Sequence, residues 1–448
     1  MPSGSAELRM EGSTWYGNIP IDWSVDRFKR IATIRNGQVD PEDDRYKDLP
    51  LYAPNHIESG TGRLLEVESA DTQGAESGKF LVEPGEVVYS KIRPELRKVI
   101  VAPFKGLCSA DMYPVRPLYR VEAHFLYYEM LSDGFSQYTL LESGRVAMPK
   151  INRKALGECI FVYPDRKQQA RICEYLDLSC AAIDAAVAAK RRQLDTLDEL
   201  RKSIISRAVT QGLNPQAKMK SFVLDWLSEG PAHWQVQQIK RVCSLVRGQF
   251  SHRPRNDPAF YDGPYPFVQT GDITAAGKYI RTYSQTLNEL GLSVSKRFPR
   301  GTLVMSIAAN IGDVAILDFE ACFPDSMIGM IPGHKTNLDF LYYLMRAMRG
   351  IMLRSAVQST QLNLNYVRIG TNFAPFPPLK EQSAIAEYLD AKERESHLIS
   401  NTIETQIATL TAYRKSLIHE CVTGQRRITE ADLVWVGRGE SISSRPSR

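Results

Sequence analysis

The sequence contains no run approaching 18 uninterrupted apolar residues, and Met1–Met10 lacks the basic and apolar blocks of a secretory leader. The first absence excludes a membrane-spanning helix and the second a signal peptide, so a cytoplasmic protein is expected. Cysteine is sparse: the seven residues Cys108, Cys159, Cys173, Cys180, Cys243, Cys322 and Cys421 are scattered and never spaced C-x-x-C. That spacing argues against a disulfide framework and a zinc site, and predicts reduced, buried packing residues. Catalytic signatures are missing too. There is no G-x-x-x-x-G-K-[ST] phosphate loop, no G-x-G-x-x-G turn, no G-x-S-x-G elbow and no H-E-x-x-H pair. The Asn/Asp-Pro-Pro-aromatic tetrapeptide of amino-methyltransferases is absent, and the seven histidines are dispersed, so no metal is expected. Pro164-Asp165-Arg166-Lys167 offers the Asp and Lys of a nuclease motif, but its repeat, Pro377-Pro378-Leu379-Lys380, lacks the acid. No catalytic residue is assigned.

What remains is an ordinary globular composition of 448 residues, 43% hydrophobic and 24% charged, which bounds the chain at two to four domains. The formal charge of +5 mildly favours a polyanionic partner.

The strongest positive signal is an internal repeat. Trp23, Val25, Lys29-Arg30 and Gly37-Gln38 return as Trp234, Val236, Lys240-Arg241 and Gly248-Gln249, at a constant offset of 211. Lys167-Gln168-Gln169, Ile172 and Glu174-Tyr175-Leu176-Asp177 return as Lys380-Glu381-Gln382, Ile385 and Glu387-Tyr388-Leu389-Asp390, at offset 213. Arg201-Lys202-Ser203 and Arg414-Lys415-Ser416 keep that offset. Between these anchors the copies diverge over a shared skeleton: Gly85–Ser90 parallels Gly301–Ser306, and Phe125-Leu126-Tyr127-Tyr128 parallels Phe340-Leu341-Tyr342-Tyr343.

Within each copy, a β-rich part punctuated by Gly/Pro turns precedes a segment free of both residues until Gly212 or Gly424. Ile172, Leu176, Cys180, Ile183, Val187, Leu194, Leu197, Leu200 and Ile204 follow three- and four-residue steps, as a helix stripe does. Ile385, Leu389, Ile399, Ile403, Ile407, Leu410, Tyr413 and Leu417 repeat it. An isolated stripe on a helix of roughly 60 Å needs a partner, and the other copy's stripe is the obvious one. The expected fold class is therefore α+β with a pseudo-twofold internal repeat: two domains of mixed sheet and helices, separated by two long helices that pair as an antiparallel coiled coil. The expected boundaries are 1–162, first domain; 163–213, first long helix; 214–373, linker and second domain; 374–425, second long helix; 426–448, flexible tail. Gly212–Lys220 reads as the linker.

Cations and amides gather at the sheet turns. Ser90–Lys98 holds four cations; Arg247, Gln249, His252, Arg253 and Arg255 precede Gln269-Thr270; Gln361, Asn363 and Asn365 alternate along an extended run. Arg suits guanine edges, Asn and Gln suit adenine, and Lys mostly neutralises phosphate.

On the W-x-V…K-R start at Trp23 and Trp234, Gly85–Arg97 and the Ser306 counterpart, Ala147-Met148-Pro149-Lys150-Ile151-Asn152, and Pro-x-x-Lys-x-Gln…Ile-x-x-Tyr-Leu-Asp opening both long helices, the chain resembles the specificity subunit of type I restriction–modification systems. The resemblance covers nearly the whole chain. In the second copy Leu362-Asn363-Leu364-Asn365-Tyr366 replaces Met148–Asn152, a departure that leaves that segment's role open. The resemblance implies two target-recognition domains, each reading half of a bipartite asymmetric site on double-stranded DNA. It implies two methyltransferase subunits as partners, with restriction/translocase subunits as further ones, and no membrane. S-adenosylmethionine, ATP and Mg²⁺ would belong to those partners, and this chain would need no cofactor. The residues expected on DNA are Lys91, Arg93, Arg97, Lys98, Arg145, Lys150, Asn152, Arg247, Gln249, Arg253, Gln269, Thr270, Ser306, Asn310, Gln361, Asn363 and Asn365. Those expected in the coiled coil or in partner docking are Gln169, Ile172, Tyr175, Leu176, Leu194, Leu197, Leu200, Ile204, Gln382, Ile385, Tyr388, Leu389, Ile407, Leu410, Tyr413 and Leu417. Two alternatives stand beside this reading: a fused methyltransferase or nuclease, and a coiled-coil scaffold without DNA readout.

Overall fold

The computed structural model describes residues 8–9, 16–144, 149–224, 226–308, 310–357 and 366–437. Two compact units divide the chain: residues 1–191 with 404–448, and residues 192–403.

In the first unit, one four-stranded sheet has the order Ala32–Ile34, Met112–Pro117, Val87–Ser90, Val99–Val101. A second has the order Gln38–Val39, Lys79–Val82, Gly106–Cys108, Leu51–Tyr52. Val87–Ser90 is buried along its whole length, as expected of a central strand covered on both faces. The helices Ala123–Leu131 and Asp133–Glu142 follow, and Phe125, Leu126, Met130 and Phe135 fill the core against Val87, Tyr89 and Val115.

The second unit repeats this plan. One sheet runs Cys243–Arg247, Met327–Pro332, Leu303–Ser306, Val314–Leu317, Tyr279–Ile280. The other runs Gln285–Leu287, Tyr261–Phe267, Ala321–Cys322, Arg297–Phe298. The helix Leu338–Ala347 buries Phe340, Leu341 and Leu344 in the core.

A two-stranded ribbon closes each domain. Ile160–Tyr163 pairs antiparallel with Ser24–Arg27, and Phe373–Phe376 with Gln235–Gln238 in the same register. A second ribbon also recurs at the 211 offset, since Leu8 opposite Pro20 becomes Met219 opposite Pro231. The segment read as a linker therefore leads straight into a strand, Met219–Leu224.

The long helices are Arg166–Gln211 and Leu379–Val422. They pair as an antiparallel coiled coil. In the first unit, Ile172, Leu176, Cys180, Ile183 and Val187 share a core with Ile407, Leu410, Tyr413, Leu417 and Cys421, and Arg414 bonds Asp184 at 3.0 Å. In the second, Ile204, Ile205 and Val209 join Ile385 and Leu389, and Arg201 bonds Glu393 at 2.6 Å. Both helices stop at a left-handed glycine with φ +75°, a conformation that costs glycine least. Gly212 ends against Trp234, and Gly424 against Pro20 and Trp23.

The flexible tail expected from 426 is corrected as far as residue 436. Ile428 is buried, Glu430–Gly437 is helical, Arg427 pairs with Asp22 at 2.7 Å and Arg171 with Glu430 at 2.9 Å. The apolar residues Leu433 and Val436 pack on the first core, which gives this stretch a reason to fold back that its charge pattern hid. All seven cysteines are buried and unpaired. Among the described residues no helix is long and apolar enough to cross a membrane, and none of the His, Cys, Asp and Glu residues cluster as a metal site.

Candidate nucleic-acid interface

In the first unit, the turn joining Val87–Ser90 to Val99–Val101 is tied down at several points. Ser90 Oγ donates to the Ile92 carbonyl at 3.0 Å, the Lys91 N–H to the Asp111 carbonyl at 3.0 Å, and the Arg93 N–H to the Pro149 carbonyl at 2.9 Å. Arg93 and Arg97, at φ +46° and +47°, both occupy left-handed backbone that is costly for residues with a Cβ. Arg93 also precedes a proline. The Arg93 side chain is exposed, without a partner among the described residues. Lys150 is exposed beside it, bridged through its backbone to Ile92.

The neighbouring cations are committed inward. Lys91 Nζ donates to the Ala110 carbonyl at 2.5 Å and lies over the Tyr113 ring. Lys98 Nζ donates to the Pro54 carbonyl, and burial lowers its pKa. Arg97 reaches the Leu131 carbonyl at 3.2 Å and Asp133 at 2.6 Å, and Lys415 joins Asp133 at 2.9 Å. Burial pushes the Asp133 carboxyl up, but its hydrogen bonds and charge contacts with Lys415 and Arg97 outweigh this and hold it below the usual range. Lys98 and Arg97, both expected on DNA, are thus engaged within the protein. Asn152 is likewise spent as a helix cap, accepting the Ala155 N–H at 2.9 Å, and Ser306 is buried, donating to the Ala308 carbonyl as Ser90 does to Ile92.

The corresponding edge of the second unit gathers three arginines on Asp325. Arg247 Nε donates to its carbonyl at 2.8 Å, Arg253 lies 3.5 Å from its carboxylate and Arg255 contacts it directly. One carboxylate cannot neutralise three guanidinium groups, so this edge keeps a positive surplus. Gln249 is exposed beside them. Asn310 Nδ2 donates to Thr274 Oγ1 at 2.8 Å, and that hydroxyl donates to Asp313 at 2.9 Å. Gln269 and Thr270 line a polar cleft of about 420 Å³. Arg145, Gln361, Asn363 and Asn365 lie outside the described residues. Sequence reasoning missed Asp325, an isolated acid far along the chain from the arginines it collects, and Gln285, which reaches Gln269 across paired strands.

The repeated motif at the helix starts is a latch. Buried Gln169 accepts the Glu122 N–H at 2.8 Å and donates to the Arg120 and Pro164 carbonyls at 2.9 and 2.8 Å. Gln382 does the same with the Asn337 N–H and the Lys335 and Pro377 carbonyls at 2.8, 3.1 and 2.9 Å. Tyr128 donates to Asp177 at 2.6 Å and Tyr343 to Asp390 at 2.5 Å, which accounts for the repeated aspartate. Gln169 and Gln382 are therefore buried within their own domains, while Tyr175 is buried in the core shared with Leu410, Tyr413 and Leu417 of the other long helix. Leu194 and Leu197 are half-buried, while Leu200 at 52% and Tyr388 at 39% exposure lie outside the buried seam.

The fold so described is a duplicated sheet domain joined to a paired helix, with a cationic sheet edge in each copy. Residues 231–409 match the model of the type I restriction modification DNA specificity domain. The chain is 34% identical over 214 residues to the type I restriction enzyme EcoDI specificity subunit of Escherichia coli; that match covers 48% of this chain and 45%, less than half, of the relative. It is 21% identical over 436 residues to the type I restriction enzyme MjaIX specificity subunit of Methanocaldococcus jannaschii, covering 92% and 96%. A solved chain from work on assembly and conformational transition of the type I R-M system superposes with a TM-score of 0.72 at 17% identity, over 91% of this chain and 99% of that one. The crystal structure of the HsdS subunit from Thermoanaerobacter tengcongensis gives 0.51 at 16% identity, over 91% and 98%. The two structures share the fold. Over residues 231–409 the chain matches the DNA specificity domain, and over most of its length it is similar to type I restriction enzyme specificity subunits.

Proposed function

We propose that this chain is the non-catalytic reader of a type I restriction–modification complex, recognising a bipartite asymmetric site on double-stranded DNA with one domain per half-site. The observation that carries the reading is the equivalent sheet edge of the two copies. The serine hydrogen bond at the end of the central strand is kept, while the exposed cations at that end of the sheet come from different segments: Arg93 and Lys150 in one, Arg247, Arg253 and Arg255 in the other. A shared scaffold with different side chains at its cationic edge suits two readers of different sequence.

The paired long helices would set the unspecified spacer and dock two methyltransferase subunits, with restriction/translocase subunits as further partners. Exposed Leu200 and Tyr388 remain available for that docking. S-adenosylmethionine, ATP and Mg²⁺ would act in the partners. The test is DNA binding by the assembled complex as a function of salt. Neutralising n phosphates gives a log–log slope of about −0.9n, and an affinity independent of salt would favour a scaffold without DNA readout.

A further inference from the structure

We infer that Gln269 and Gln285 together read the major-groove edge of one adenine in the half-site of the second domain; this rests on the DNA-reading role proposed above and assigns a base and its readers within it. Gln269 follows the strand Tyr261–Phe267, and Gln285 lies opposite Phe267 in the neighbouring strand. Gln269 Nε2 donates to Gln285 Oε1 at 2.9 Å. That bond leaves the Gln285 amide protons unused, and the Gln269 oxygen, which caps the helix Thr270–Ala275 by accepting the Asp272 N–H, keeps a second lone pair, so an acceptor stands beside a donor. Adenine presents the complement, the N6 amino donor beside the N7 acceptor, whereas guanine presents two acceptors and would oppose the Gln269 oxygen.

The surroundings hold the pair still and leave it open. Asp272 accepts the Gln269 N–H at 2.7 Å and the hydroxyl of Ser284, the residue before Gln285, at 3.3 Å. Buried Phe250 and Phe267, 5.2 Å apart by ring centres, form the floor of the 420 Å³ cleft. A second polar cleft of about 320 Å³ continues past Gln285. Arg255 on the rim is engaged by Asp325, and the paired amides line the cleft beside Asn256, Thr270 and Ser326. The first domain lacks this device at the same place. Leu51 pairs with Leu107, and Leu107 with Leu81, as Phe267 pairs with Cys322, and Cys322 with Arg297, so Ala53 stands where Gln269 does. Ser69 opposite Pro50 puts Glu68 opposite Leu51, where Gln285 faces Phe267. Neither Ala53 nor Glu68 has an amide side chain to offer.

The experiment offers the full chain, purified with its accompanying subunits, a library of randomised duplexes and sequences what is enriched. Wild type should enrich a two-part motif; no motif at all would defeat the DNA-reading role itself. Gln269→Glu removes the amide donors and should turn one adenine of the second half into cytosine, whose N4 amino group a carboxylate accepts. The first half should be unchanged, which also reports that the variant is folded. An unaltered motif in both halves overturns the assignment while leaving the DNA-reading role standing. Should the variant lose all binding, wild type decides: 7-deazaadenine, which lacks N7, should weaken binding about tenfold at one adenine of the second half. No loss at any adenine there overturns the assignment.

Discussion

The buried carboxyl of Glu129 accepts the N–H of Val162 at 3.0 Å, and in the second copy both partners have changed together. Leu344 replaces the acid, and Pro375, which faces Val236 as Val162 faces Val25, has no N–H to satisfy. The two copies meet one constraint, that no buried donor stays unpaired, in opposite ways. Glu129→Leu alone should therefore destabilise the first unit by about 1–3 kcal/mol, and adding Val162→Pro should recover most of that loss. Denaturant melts of the single and double variants check it; a double variant no better than Glu129→Leu contradicts the pairing.

Burial, above all, raises the Glu129 pKa well above the usual carboxyl range in the folded chain. A carboxyl raised on folding binds its proton more tightly in the native state. Its contribution is complete below the unfolded value of about 4.3 and is lost as pH rises through the folded value. Wild type should thus be more stable at pH 5 than at pH 8, and Glu129→Gln should narrow the difference. Urea melts at the two pH values measure this, and an unchanged difference in the variant contradicts it.

The glutamine latch gives a third expectation. Gln169→Ala leaves the Glu122 N–H and the Arg120 and Pro164 carbonyls without their partner, and should cost about 3 kcal/mol. Hydrogen exchange should quicken at Glu122 and in the first turns of the helix Arg166–Gln211. Exchange as slow as in wild type would mean that the latch is dispensable.

Arg93 and Arg97 lie four residues apart in equally strained backbone, yet should behave differently. Arg93→Ala should leave the melting temperature within about 2 °C of wild type and reduce the salt slope of DNA binding by about one. Arg97→Ala should lower stability by about 2 kcal/mol, because it strips a half-buried carboxylate of one of its two cations. Melting curves and salt titrations separate the two; equal loss of stability in both would contradict this assignment.

Much of this architecture could be read in advance because repetition is a property of sequence. The constant offset announced two copies, and the three- and four-residue steps announced the helices. The interface was harder. Lys98 and Arg97 are indistinguishable from Arg93 in a string of cations, and only the fold shows that two turn inward to Pro54 and Asp133 while the third is exposed. Asp325 and Gln285 carried no local signal, since their meaning depends on strand pairing that brings them to Arg255 and Gln269. Gln169 was visible as a motif residue, but a docking residue and a buried latch look alike until its carbonyl partners are known.

The central claim is that this chain chooses the DNA sequence, one half per domain. Mapping N6-methyladenine across the host genome tests it most directly, comparing wild type, a strain lacking the chain, and strains carrying Arg93→Ala or Gln269→Glu. The account predicts a two-part methylated motif that vanishes without the chain, relaxes in the first half alone with Arg93→Ala and changes in the second half alone with Gln269→Glu. A methylation pattern that is unchanged when the chain is removed would contradict it.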